Sequence, residues 1–136
     1  MAQQGGCMCG NVRYTVEGEP AGKALCHCKD CRKITGSTYS TNAIFPDGQF
    51  KLAQGTPKQH VKTADTGNTI TSFFCGDCGS TMWRETATFK GAKIVKVGTI
   101  DDANALADAK PAIELFAPQR VPWVQAVSGA EQKDAM

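Results

Sequence analysis

The chain has 136 residues, 41% hydrophobic and 21% charged, which fits one globular domain over 1–136 with a modest core. Its 15 basic and 13 acidic residues leave a net charge of +2, too balanced to argue for nucleic acid or an anionic membrane as partner. No apolar run reaches the roughly 18 residues of a membrane span, and Met1-Ala2-Gln3-Gln4-Gly5-Gly6 has neither the basic patch nor the apolar stretch of a secretory signal.

In chain order, the first local pattern has period two. Val12, Tyr14 and Val16 alternate with polar neighbours until Gly18, which predicts a half-buried strand. A helical turn or two is expected after Cys28. Residues 38–45 read as a strand that stops at the turn signal Pro46-Asp47-Gly48. Residues 59–63 and 69–74 suit a hairpin across Asp65-Thr66-Gly67-Asn68, with His60 in its first strand and no motif around it. Further short strands are expected at 81–85, 92–97 and 113–116. A second helix is expected at 102–109, opening at the Asp101-Asp102 cap and ending before Pro111. From Ser128 the chain is expected to fray. Short strands separated by turns predict a mostly β domain with little helix.

Seven cysteines, in three tight clusters, carry the chemistry: Cys7-Met8-Cys9, Cys26-His27-Cys28-Lys29-Asp30-Cys31 and Cys75-Gly76-Asp77-Cys78. An odd number leaves a thiol over in any disulfide framework. Close spacing without a signal points instead to metal binding in a reducing compartment, the cytoplasm. In extended backbone, residues two apart share a face, so each C-x-C pair can present two thiolates to one ion. Cys75-x-x-Cys78 has zinc-knuckle spacing, with Gly76 and Gly79 relieving the turn. Spacing therefore favours a closed set of four, Cys7, Cys9, Cys75 and Cys78, and an open set of three, Cys26, Cys28 and Cys31. Two arrangements compete: His27 as a fourth ligand closing the trio, and a different pairing of the clusters.

At Gly6-Cys7-Met8-Cys9-Gly10-Asn11-Val12-Arg13-Tyr14 the chain resembles the glutathione-dependent formaldehyde-activating enzymes, whose superfamily includes a centromere-associated protein. The resemblance continues through Cys26-His27-Cys28-Lys29-Asp30-Cys31-Arg32-Lys33-Ile34-Thr35-Gly36-Ser37, Phe74-Cys75-Gly76-Asp77-Cys78-Gly79-Ser80, Gly98-Thr99-Ile100-Asp101-Asp102 and Pro122-Trp123. It implies an Mss4-like fold with two zinc ions per chain. Cys7, Cys9, Cys75 and Cys78 would hold a structural zinc; Cys26, Cys28 and Cys31 would hold a catalytic one. Where the family often has Pro-x-x-His-Ile, this chain has Pro111-Ala112-Ile113-Glu114-Leu115.

Three thiolates leave a zinc ion with one net negative charge and weak Lewis acidity, suited to delivering a thiolate rather than activating water. The expected reaction joins or parts a thiol, glutathione in the family, and formaldehyde through a carbon–sulfur bond. Candidate catalytic neighbours are His27 as a proton carrier, Arg32 and Lys33 as partners of substrate carboxylates, and Glu114 as a base in the pocket or an outward residue on an edge strand. Phe45 and Trp123 are candidate pocket walls or core. Two other functions compete. One is the same type of site acting on another small molecule in a biosynthetic pathway. The other is a zinc-stabilised module binding protein or nucleic acid, which would favour a basic stripe that the sequence lacks.

Overall fold

The alternation at Val12, Tyr14 and Val16 buries all three side chains. Their strand, β2 (Arg13–Glu17), is the centre of a three-stranded antiparallel sheet between β1 (Ala2–Gly6) and β5 (Phe50–Gln54). The computed structural model describes residues 2–63 and 67–136. A second sheet contains β3 (Gly22–Cys26), β4 (Ser40–Pro46), β6 (Lys58–Thr63), β7 (Thr69–Phe74), β8 (Thr81–Thr86), β9 (Ala92–Lys96), β10 (Ile113–Leu115) and β11 (Glu131–Gln132). Its order is β11-β10-β3-β4-β9-β8-β7-β6. The pairings are antiparallel except β10 with β3 and with β11, which are parallel. Among the described residues, two short α-helices, α1 (Lys29–Thr35) and α2 (Ala105–Asp108), and several 3-10 turns complete the fold.

The expected hairpin pairs Thr63 with Thr69, although Asp65 and Thr66 of its turn lie outside the described residues. The helix expected over 102–109 is shorter because the Asp102 carboxylate accepts a hydrogen bond from Asn104 N, a local turn that competes with helix. Asp101 pairs instead with Arg13. The chain from Ser128, expected to fray, docks as β11. Lys133 N donates to Glu114 O at 2.9 Å, and Ala117 N donates to Lys133 O at 2.8 Å. The open edge of β10 supplies the backbone partners that hold it.

Two apolar clusters result. The larger joins the sheets around Tyr14, Phe45, Met82, Trp83, Val95 and Val97, and includes Cys7 and Cys75. Within it, Phe50 lies 5.2 Å from Tyr14 and 4.7 Å from Trp83 between ring centroids, while Phe73 stacks on Trp83 at 4.8 Å. Each buried large side chain of this kind contributes about 1.5–3 kcal/mol. The smaller cluster, of Ala24, Cys26, Cys31 and Leu115, lies where β3, β10 and α1 meet. Phe45 is thus core and also lines a second cavity, whereas Trp123 is 75% exposed and outside the core.

Candidate metal centre

Two similar turns bring the set of four together. Cys7 N donates to Val12 O, and Gly10 N returns to Cys7 O; in the second turn Cys75 N donates to Ser80 O, and Gly79 N to Cys75 O. Gly10 (φ 82°) and Gly79 (φ 81°) close the turns in the left-handed region, where a side chain is strained. Gly76 does not share that role. The Ser80 hydroxyl accepts from Met8 N and lies 3.4 Å from Cys78 Sγ, linking the two turns.

The sulfurs of Cys7, Cys9, Cys75 and Cys78 all lie within 4.8 Å of one another. Cys9 Sγ is 3.6 Å from Cys7 Sγ and 3.7 Å from Cys75 Sγ. Four thiolates about 2.3 Å from a tetrahedral zinc are separated by about 3.8 Å, so the spacing fits that ion and is far too long for a disulfide. Backbone amides reach two of the sulfurs: Val12 N donates to Cys7 at 3.2 Å and Asp77 N to Cys75 at 3.4 Å. Burial opposes ionisation of Cys7, but the hydrogen bonds from Val12, Cys9 and Cys75 outweigh it. Hydrogen bonds from the Ser80 side chain and backbone bring Cys78 down to about 5.

The trio is built by a strand end and a helix start. Cys26 ends β3, Cys28 caps α1, and Cys31 lies in its first turn. The Cys28 sulfur accepts from Cys31 N at 3.3 Å, so the side chain that caps the helix also faces its partners. Cys26, Cys28 and Cys31 again lie within 4.8 Å of one another, and no histidine or carboxylate joins this group among the described residues. Cys26 and Cys31 are buried and Cys28 is partly exposed. Within the trio, the other two sulfurs pull Cys31 down to about 2 and push Cys26 strongly up, as expected for thiols sharing one negative charge. The donor set, with one tetrahedral position left over, fits a zinc ion with an open coordination site.

Cys26 and Cys31 form one wall of a cavity of about 40 Å³. Ala24, Ile44, Ile70, Ile94 and Leu115 make much of the rest apolar, and Asn42, Arg84 and Lys96 supply polar groups. Arg84 Nη1 lies 3.9 Å from Cys31 Sγ, and Arg84 Nε donates to Ser72 Oγ at 3.1 Å. Lys96 Nζ donates to Asn42 Oδ1 at 2.6 Å. Burial brings Lys96 down to about 8, although the trio's negative charge works in the opposite direction. Sequence reasoning missed Arg84 and Lys96, and neither strand carries a local signal for them: Arg84 stands beside Glu85 in Thr81–Thr86, and Lys96 shares Ala92–Lys96 with Lys93.

His27 does not close the trio. Its ring turns away, with Nε2 at 2.7 Å from Glu114 Oε1, and both side chains are completely buried. Parallel register opposes Glu114 to Leu25, and His27 N donates to Leu115 O at 3.0 Å. The carboxylate also accepts from Val127 N at 2.7 Å and Gln132 Nε2 at 2.8 Å, with Arg120 Nη2 3.5 Å away. Burial works against ionisation of Glu114, but Gln132, His27, Val127 and Arg120 together hold it below its ordinary value. Glu114 is therefore neither outward-facing nor a cavity wall. Arg32 and Lys33 occupy the last turn of α1, partly exposed and exposed, and neither lines this cavity. His60 is exposed on β6.

The family described as "Glutathione-dependent formaldehyde-activating enzyme" matches residues 2–119, spanning both cysteine sets. The chain belongs to this family. The family is one of carbon–sulfur lyases, and its description names formaldehyde activation with glutathione. A crystal structure of a Rhodobacter sphaeroides protein shares the fold, with a TM-score of 0.62 at 21% identity over 79% of this chain and 96% of that one. The mostly β architecture agrees with the Mss4-like expectation. No helix among the described residues is long and apolar enough to cross a membrane.

Proposed function

We propose that this member of the family is a zinc-dependent carbon–sulfur lyase or synthase that interconverts a glutathione-like thiol and formaldehyde with their S-hydroxymethyl adduct. The observation that carries the reading is the trio itself: three clustered sulfurs beside a cavity, with no fourth protein ligand among the described residues. A zinc ion held there would supply acidity to a thiol in its open position and keep that thiol as a thiolate at neutral pH.

The protein's own groups have distinct tasks. Cys26 and Cys31 fix two ligand positions in an apolar cluster. Cys28, the least buried of the three, marks the side open to a large thiol. His27 and Glu114 act as positioning residues, clamping the turn that sets the Cys26–Cys28 spacing. Arg32 and Lys33 reach the carboxylates of the thiol substrate from outside the cavity. Cys7, Cys9, Cys75 and Cys78 hold the second zinc, which ties β1 to the β7–β8 turn and stabilises the fold.

The test is exchange NMR of glutathione and formaldehyde with zinc-loaded protein, against buffer and against Cys28→Ser. Faster adduct exchange with the wild type alone is expected. A folded, two-zinc protein that accelerates neither direction would overturn the reading.

A further inference from the structure

Arg84 and Lys96 are only 6% and 8% exposed. Both line the cavity beside the trio; Arg84 donates to Ser72 Oγ and reaches Cys31 Sγ at 3.9 Å, and Lys96 donates to Asn42 Oδ1. No carboxylate pairs with either among the described residues. Buried cations normally require a compensating anion. Zinc held by the three thiolates would carry one net negative charge, and Arg84 and Lys96 line the cavity beside it. The cavity therefore has room, electrostatically, for one more monoanion.

We propose that Arg84 and Lys96 form an oxyanion pocket that binds the carbonyl oxygen of a small aldehyde. This rests on the carbon–sulfur reading of the trio. The thiol loses its proton to solvent on binding, and its sulfur electron pair forms a bond to the aldehyde carbon. The carbonyl π pair moves onto oxygen, giving an alkoxide between Arg84 and Lys96, which then takes a proton from solvent. One negative charge passes from sulfur to oxygen, so the two cations compensate it before and after the bond forms. About 40 Å³ is room for roughly three water-sized groups at ~10–15 Å³ each, so the pocket selects aldehydes of one or two carbons.

Formate, a monoanion of similar size and shape, tests the pocket without turnover. Its binding to zinc-loaded protein is measured by calorimetry and by ¹³C line broadening, for wild type, Lys96→Met and Arg84→Gln. Zinc content and far-UV circular dichroism verify each variant, and either variant alone suffices if the other fails to fold. We expect formate to bind the wild type, to compete with aldehyde in the exchange assay, and to bind at least tenfold more weakly to a folded variant. Butyrate should not bind. Formate binding that survives both substitutions, as binding to the metal alone would, or butyrate binding as well as formate, overturns the pocket. Turnover with cation-independent formate binding overturns the pocket and leaves the carbon–sulfur reading. Cation-dependent formate binding without turnover supports the pocket and overturns that reading instead.

Discussion

Glu114 Oε1 lies 2.7 Å from His27 Nε2 with neither side chain exposed, so the turn between two trio ligands is fastened to the neighbouring parallel strand by a buried polar pair. Removing one partner leaves the other unsatisfied. Glu114→Ala is expected to cost about 3–5 kcal/mol in chemical denaturation, and Glu114→Gln less, because an amide can still accept from His27. A positioning role predicts more than lost stability. At equal folded fraction, Glu114→Gln should alter the visible spectrum of cobalt bound at the trio and leave cobalt at the four-cysteine site unchanged.

The same carboxylate sets an acid limb. Its folded-state pKa lies below the ordinary 4.5, despite burial, because Gln132, His27, Val127 and Arg120 favour the ionised form. A depressed carboxyl pKa stabilises the fold above the unfolded value, and that contribution is lost as pH falls through the folded one. Denaturation measured from pH 6 downward should show stability declining below about pH 4.5. Glu114→Gln should flatten that decline; an unchanged acid limb in the variant would count against the assignment.

The two cysteine sets should differ in what they support. Cys7 and Cys75 belong to the large core, while Cys26 and Cys31 belong to the smaller cluster. Cys78→Ser should therefore lose one zinc and unfold the protein or make it insoluble. Cys28→Ser should lose the other zinc and its turnover, with the fold retained. Metal analysis alongside thermal melting checks both, and equal global unfolding would contradict the division.

Gly5 lies opposite Tyr14, and a Cβ there would come within 2.5 Å of the Tyr14 ring and 2.7 Å of Thr99 O. The Tyr14 hydroxyl is fixed by Thr99 Oγ1 at 2.7 Å, so the neighbours have little freedom to move. Gly5→Ala should cost about 1–3 kcal/mol in urea denaturation without changing zinc content.

Much of this architecture was legible in the sequence where pattern and spacing act locally. Val12, Tyr14 and Val16 announced β2, and ligand spacing separated the cysteines into the two sets that the fold brings together. Strands without such a pattern stayed hidden. Residues 2–6 are polar and glycine-rich, and Gly22-Lys23-Ala24-Leu25-Cys26 lacks β-branched residues, so β1 and β3 owe their form to partners distant in sequence. The dipeptide of β11 is likewise strand only because β10 offers it an edge. Arg84 and Lys96 were missed because a cation in a strand normally reads as the solvent face; here tertiary packing buries both beside the trio. Glu114 was placed on a strand correctly, but its partner His27 lies 87 positions earlier and only the parallel pairing of β3 and β10 joins them.

The most direct measurement of the central claim is a thiol titration of the protein carrying two cobalt ions in place of zinc. Glutathione should increase the thiolate-to-cobalt absorption at the trio alone, and Cys28→Ser should abolish the change. No spectral response to the thiol, or an equal response at both sites, would contradict an open thiolate-binding position at Cys26, Cys28 and Cys31.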